Sequence, residues 1–349
     1  MKIALVGPPL SGKTSLFQAV TGSEPDPARY HGAKPQPGMV TVPDERLDQL
    51  AAYHNPKKLT HAQLEILDFA GIEPGARTEN IKQVFAAMRE ADALLVVLSA
   101  FDGESSEAIG AQWTSMQSEI LFADLEVMEK RIEKLAANVN KPTKTQEQDK
   151  KELAVLRKIR AHVEEHETWQ GLDLDDVEEK AVRGFRFLMQ KPLVPVINAD
   201  EPGRVDPAEA LPAEAAARAL VLNAEVEREV SQLPPEERRD FLAEFGIAEP
   251  AGPRVIRAAY EALGLISFFT VGEDECRAWT VEKGANAVTA AGKIHSDLAR
   301  GFIRAETYHY DDFAELDDEK TIKAKGRLRL EGKEYTVKDG DIMNIRFSV

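Results

Sequence analysis

Cysteine is nearly absent: Cys276 stands alone among 349 residues. No internal disulfide can form, and no Cys/His cluster sits at metal-ligand spacing. There is no apolar run of membrane-spanning length, and the opening residues lack the basic and apolar regions of a secretory leader. Positive charge is in deficit, since 44 Lys and Arg against 60 Asp and Glu leave a net charge of −16. That balance argues against a surface built as a whole for nucleic acid, while leaving room for a local basic patch. Together these absences lead us to expect a reducing, cytoplasmic setting with no membrane and no DNA partner. What is present is an ordinary globular composition, 43% apolar and 30% charged, in a chain long enough for two or three domains.

Gly7 to Thr14 read G-P-P-L-S-G-K-T and match the phosphate-loop pattern G-x-x-x-x-G-K-[ST]. The context also fits, with a strand-like run at residues 2–6 before it and a helical run at 15–20 after it. Each element has a physical task. Gly7 and Gly12 let the backbone curl so that N–H groups face phosphate oxygens, Lys13 reaches the β- and γ-phosphates, and the Thr14 hydroxyl can ligate Mg²⁺. The loop opens a helix, whose positive end favours an anion. Pro8, Pro9, Leu10, Ser11, Gly12, Lys13, Thr14 and Ser15 are therefore the expected nucleotide-binding run.

Two further elements end strand-like runs. Asp68-Phe69-Ala70-Gly71 fits D-x-x-G, in which Asp68 holds Mg²⁺ and the Gly71 N–H approaches the γ-phosphate. Asn198-Ala199-Asp200-Glu201 stands where GTP-driven switches carry N-K-x-D, whose Asp reads guanine. Glu201 in that place shifts the carboxylate by about a methylene, and a hydrogen-bonding pocket discriminates strongly against a misplaced partner. Guanine reading is thereby disfavoured, although Asp200 offers an alternative contact. Asn223, Ala224 and Glu225, after the strand-like run 219–222, complete the expected nucleotide-binding set with Asn198, Glu201 and Gly71.

Buried-strand runs at 2–6, 63–69, 93–98, 193–198 and 219–222 alternate with helical stretches such as 78–90. The pattern predicts an α/β fold, a mostly parallel sheet with helices on both faces. Leu121, Leu125, Met128, Ile132, Leu135 and Val139 recur at spacings of four and three. Residues 138–149 read as a turn, and Leu153, Leu156 and Val163 restart a helix. This predicts an inserted antiparallel helical hairpin. From about 267 the character changes to strands at 267–271, 303–308, 327–330, 334–337 and 342–347 with a helix at 287–300, a small α+β domain.

These motifs, with Val42-Pro43-Asp44-Glu45-Arg46-Leu47-Asp48, Ala123-Asp124-Leu125-Glu126, Phe269-Thr270-Val271-Gly272, Arg277-Ala278-Trp279-Thr280, the run 291–297, the run 301–306 and Leu330-Glu331-Gly332-Lys333-Glu334-Tyr335, give the chain its resemblance to the Obg-like ATPase or YchF family along nearly its whole length. The resemblance implies a P-loop G domain at 1–117 and 191–266, an inserted helical arm at 118–190, and a C-terminal TGS domain of ubiquitin-like β-grasp form at 267–349. It also implies ATP in preference to GTP, N-x-x-E at the base motif, Mg²⁺, and association with the ribosome, the large subunit in particular.

The chain departs from that pattern in several places. Leu10 replaces an Asn linked to monovalent-cation use, the segment 31–36 holds no switch Thr, and residues 100–121 hold no His where the family has its proposed catalytic one. Ile72 follows Gly71, where many GTPases place a water-positioning Gln. His31 could in principle substitute; the alternative reading is a merely exposed side chain. Lys323, Lys325, Arg327 and Arg329 alternate with small or apolar residues, so an extended segment would set four cations on one face. That stripe suits ribosomal RNA, or equally protects an edge strand from aggregation. The expectation is an ATP-binding NTPase, with Lys13 and Asp68 as its catalytic groups and weak intrinsic hydrolysis, coupling nucleotide state to ribosome docking. The alternatives are a nucleotide-bound recruitment module with negligible hydrolysis, or a GTP-binding ribosome-associated factor.

Overall fold

A computed structural model describes residues 1–24, 34–101, 103–138, 145–244 and 247–348. The chain divides into two compact units, Met1–Gly38 with Glu65–Val255 and Met39–Leu64 with Ile256–Val349.

The sheet of the first unit uses β1 (Lys2–Val6), β2 (Gln36–Thr41), β4 (Gln63–Asp68), β5 (Ala93–Ala100), β6 (Leu193–Ala199) and β7 (Leu220–Leu222), while the short β3 (Lys58–Thr60) joins the other sheet. The order is β2-β4-β1-β5-β6-β7. β1 pairs in parallel with β4 and β5, β5 with β6, and β6 with β7. Ile3, Leu5, Leu94, Val96, Val194 and Ile197 are buried, as strands covered on both faces require. Parallel pairing gathers the C-terminal strand ends on one edge, so the loops after Val6, Asp68, Ala199 and Leu222 converge there. Open parallel sheets hold ligands outside that edge.

The first unit carries the helices α1 (Lys13–Thr21), α3 (Glu79–Met88), α4 (Ser106–Asn138) and α5 (Gln146–His166), while α2 (Glu45–His54) belongs to the second. Thr78 caps α3 by accepting the Ile81 N–H. α4 is continuous but changes what it packs against. Ile109, Trp113, Met116 and Ile120 join the sheet's core. Leu121, Met128, Ile132 and Leu135 instead meet Leu153, Leu156, Ile159 and Val163 of α5, and Arg131 pairs with Glu152 at 2.6 Å. The expected boundary at 118 therefore falls inside a helix, close to where its buried face changes partner. Residues 139–144 of the expected turn lie outside the described residues.

The second unit is built on a mixed sheet, ordered β11-β10-β12-β8-β9-β3, of β8 (Leu265–Thr270), β9 (Glu275–Glu282), β10 (Phe302–His309), β11 (Arg329–Glu331) and β12 (Asp341–Phe347). β12 and β8 run parallel, whereas β10–β12 and β8–β9 are antiparallel. Ala287, Ala290 and Ala291 of the helix Ala287–Ile294 pack on Ile266, Phe268, Val281, Phe302 and Met343. The expected helix 287–300 is two helices, because His295 leaves the helical conformation and its side chain accepts the Asp297 N–H, capping Ser296–Arg300. Residues 334–337 carry only an isolated bridge, Asn286 to Thr336, instead of a strand. The stretch between β2 and β4, residues 42–62, was expected with the nucleotide domain and belongs to this unit. β3 pairs with β9, and Arg46 of α2 is held by Asp44 at 2.8 Å and Asp339 at 2.7 Å.

The basic stripe is corrected. Glu319–Ala324 is a helix, capped by Asp318, whose carboxylate accepts the N–H and hydroxyl of Thr321. Ile322 buries itself at 1% exposure, and Gly326, at φ 71°, ends the turn in the left-handed region. Arg327 then pairs with Asp312 at 2.7 Å and Glu315 at 2.6 Å. Arg329 alone of the four enters a strand, and it faces the buried Asp341 at 3.5 Å. Lys323, Lys325, Arg327 and Arg329 thus share no period-two face. The capping Asp and one buried Ile outweigh the alternation of charges. Among the described residues, no helix is long and apolar enough to cross a membrane.

Candidate nucleotide site

The loop after β1 turns sharply and then starts α1. Gly12 stands at φ 88°, and a Cβ there would lie 1.9 Å from the Asn198 amide, so only glycine fits. Leu10 takes φ 62° with its side chain 94% exposed, a conformation that costs a non-glycine residue energy and that clusters at functional loops. Ser11 is buried, and Pro8 supplies a carbonyl to the interior of the loop.

Lys13 is 6% exposed. Its Nζ donates to the Pro8 carbonyl at 2.6 Å and reaches Ser11 Oγ at 3.4 Å. Burial lowers its pKa to about 8, the nearby Asp68 charge opposing that shift. The ammonium is therefore held by neutral acceptors of its own loop, in a place where an anion would bind it more strongly. The Thr14 hydroxyl donates to Asp68 Oδ2 at 2.9 Å, so the two expected metal ligands already touch. Gly71 closes on the loop from the other side; a Cβ there would stand 2.7 Å from Pro9 Cα. The next N–H, of Ile72, donates to the Gly7 carbonyl at 3.0 Å. The Ile72 side chain is fully buried in the sheet's core, so the position after Gly71 offers the loop no polar group. Ser15 Oγ lies 3.4 Å from Glu225 Oε2, whose carboxylate also pairs with Arg228.

The base-side residues differ in exposure, Asn198 and Ala224 being buried and Glu201 exposed. Asn198 is 3% exposed and hydrogen-bonded within the protein. Its Nδ2 donates to the Ser11 carbonyl at 3.1 Å and its Oδ1 accepts the Ala224 N–H at 2.8 Å. Asn198 and the buried Ala224 therefore fix the phosphate loop relative to the β7 loop. Asn223 caps the helix Ala224–Gln232 and donates to the Asp200 carbonyl at 3.0 Å. Glu201 and Asn223 do border a cleft of about 720 Å³, with Asp200, Val221, Leu222 and Arg254, a volume suited to a small ligand. The Glu201 carboxylate is exposed and pairs with Arg204 at 2.7 Å. His31 and the start of the expected first switch lie outside the described residues. Among the described residues no three His, Cys, Asp or Glu side chains cluster as a metal site.

Sequence reasoning missed Glu119 and Asp124, two buried carboxylates on α4. Glu119 accepts the Gly75 N–H at 2.8 Å and Arg77 Nη1 at 2.6 Å. Asp124 accepts Arg89 Nη1 at 2.5 Å and the Met189 N–H at 2.9 Å, and burial raises its pKa against the pull of Arg89. Asp124 belongs to a run with family resemblance, but no spacing rule links either carboxylate to its arginine.

Known proteins share both the phosphate loop and the C-terminal unit. A family model described as a 50S ribosome-binding GTPase matches residues 2–158, and the model YchF-GTPase_C, described as a protein of unknown function, matches 265–348. The chain is 37% identical to the ribosome-binding ATPase YchF of Haemophilus ducreyi, over 100% of this chain and 99% of that one. It is 36% identical to the proteins of that name from Escherichia coli O157:H7, with the same coverage, and from Bacillus subtilis, over 99% and 98%. Among solved structures, the Schizosaccharomyces pombe YchF GTPase superposes with a TM-score of 0.79 at 28% identity, covering 99% of this chain and 97% of that one.

Proposed function

The chain belongs to the YchF family, and on that premise we propose that it is an ATP-binding P-loop NTPase of slow intrinsic turnover whose nucleotide state governs docking on the ribosome. The observation that carries this reading is the meeting of Lys13, Thr14, Asp68 and Gly71 at one edge of a parallel sheet. The backbone N–H groups of the loop and the Lys13 ammonium would hold the phosphates. The Thr14 hydroxyl and Asp68 carboxylate form a hard oxygen pair of the kind that suits Mg²⁺. Mg²⁺, when bound, supplies neutralisation of phosphate charge. Ribosome docking is supported by the names of the full-length relatives, and the large subunit by the description of the family model matching 2–158. We read 118–190 as a helical arm and 267–349 as a TGS domain. Of the four cations considered for ribosomal RNA, Lys323 and Lys325 are the exposed ones.

Slow turnover follows from what the loop lacks among the described residues. Ile72 is buried, and residues 100–121 contain no His, so neither position orders an attacking water. The same burial of Ile72 favours a second reading, a recruitment module with negligible hydrolysis. Phosphate release with and without ribosomes separates the two, because a group supplied in trans accelerates only the first.

Calorimetric titration with non-hydrolysable ATP and GTP analogues tests the base preference. The ATP analogue should bind more tightly, since a displaced carboxylate forfeits part of the roughly 1–3 kcal/mol that a good bidentate base contact supplies. Glu201→Asp should move preference toward the GTP analogue. Tighter GTP binding by the unaltered chain would sink the reading.

A further inference from the structure

The loop between Gly71 and α3 is fastened at both ends. At its start, the Ile72 N–H is tied to the Gly7 carbonyl and Gly71 lies against Pro9. At its other end, the Gly75 N–H and the Arg77 guanidinium both donate to one carboxylate, that of Glu119 on α4. Glu119 is 5% exposed, so these bonds are formed largely out of water. Arg77 also lies over the Phe122 ring at 5.6 Å, one turn further along α4. A second buried carboxylate, Asp124, takes Arg89 at the far end of α3. α3 is thus stapled to α4 at both ends, by Arg77–Glu119 and Arg89–Asp124. From Leu121 onward α4 packs against α5. A path of hydrogen bonds, the short backbone segment 72–75 and one continuous helix therefore runs from the phosphate loop to the α4–α5 pair.

We propose that Glu119 is a positioning residue for the nucleotide reaction: by clamping Gly75 and Arg77 it sets where the Gly71 loop rests, and it couples the occupant of the phosphate site to α4. The physical reason is the length of the tether. Only a few residues separate the anchor on Gly7 from the anchor on Glu119, so a shift of Gly71 toward a terminal phosphate must stretch the clamp or move α4 with it. A buried charged hydrogen bond resists stretching, which favours the second outcome. The proposal rests on the reading that nucleotide binds at Gly7–Thr14.

The test uses the full chain with ADP and a non-hydrolysable ATP analogue. Amide exchange is followed over residues 106–138 and over the phosphate loop, alongside calorimetry and steady-state turnover. In the unaltered chain, exchange in α4 should differ between the two nucleotides. Glu119→Gln should erase that difference and lower kcat about tenfold, since small misplacements of reacting groups are costly. KM for ATP and protection of the phosphate loop should stay within about twofold, because Glu119 touches no phosphate-binding group. Arg77→Gln, which removes a half-exposed partner and leaves the Gly75 bond, should give the same effects more weakly. The double variant should be no worse than Glu119→Gln alone, as expected for two groups in one interaction. Arg77→Gln keeps the proposal testable if Glu119→Gln fails to fold. An α4 response that persists in both variants, or kcat and affinity falling in parallel, overturns the proposal while leaving nucleotide binding intact. An unaltered chain that binds neither nucleotide overturns the phosphate-loop reading and this proposal with it.

Discussion

Lys13 in the first unit and Arg327 with Arg329 in the second are all cations held in place by hydrogen bonds, yet they are held by different chemistry. Lys13 donates to a carbonyl and a hydroxyl supplied by its sequence neighbours. Arg327 and Arg329 face the carboxylates of Asp312, Glu315 and Asp341. A neutral acceptor gives way to an incoming phosphate, because a charge-assisted bond is roughly twice as strong as a neutral one. A carboxylate already satisfies the cation, and a phosphate gains little by replacing it. The first arrangement leaves a cation that an anion can recruit, and the second uses cations as structure.

Replacing Lys13 gives the sharpest contrast. Lys13→Ala should weaken ATP binding by about a hundredfold or more, the cost of a charged hydrogen bond plus the lost charge, as read by calorimetry with the non-hydrolysable analogue. Arg327→Ala should leave that affinity unchanged. If the two variants behave alike, the distinction between recruitable and structural cations fails.

The second unit should respond in stability instead. Asp341 is fully buried and accepts from the Tyr335 hydroxyl at 2.8 Å and the Lys338 N–H at 2.9 Å. Tyr335→Phe removes one donor from a buried carboxylate and should cost about 1–3 kcal/mol in denaturant unfolding, with nucleotide affinity untouched. A neutral effect would mean that Arg329 and the Lys338 N–H satisfy the carboxylate without the tyrosine.

The smallest effect is the pH dependence of binding. Burial holds Lys13 at a pKa of about 8 in the free chain, and bound phosphates raise it. Above pH 8 binding must therefore take up a proton, so affinity should fall by up to about tenfold per unit as pH rises beyond 8. The free chain's own stability should shift the other way, rising between pH 8 and 10.5, because there the unfolded lysine binds more protons than the folded one. A flat affinity from pH 7 to 9.5 would show that the lysine is not the group gripping the phosphate.

Along the chain, the buried parallel strands and the phosphate loop were legible because their signals are local. A run of apolar β-branched residues states its own burial, and Gly12 before Lys13 states its own backbone geometry. The run 323–330 shows where local pattern misleads, since its alternation suggests a strand while Asp318, Thr321 and Ile322 build a helix. The signal was present as a capping Asp three residues before a Thr, but it competes with a charge pattern of equal regularity. Asn198 was found from its motif, but the bonds by which it ties Ser11 to Ala224 were not.

By itself the sequence determined the α/β class, the position of the phosphate loop, the strand-end placement of Asp68 and the paired apolar faces of α4 and α5. In each the residues that act lie within a few positions of one another, so backbone geometry and periodicity suffice. Only the tertiary structure decided that residues 42–62 fold with the C-terminal unit, that Arg327 and Arg329 are spent on carboxylates, and that Glu119 clamps the loop after Gly71. Those outcomes depend on which distant chains meet, through β3 against β9, Asp341 beneath Arg329, and α4 beside the segment 75–77. A buried charge must take its partner from whatever packing brings near, and no spacing along the chain records that choice.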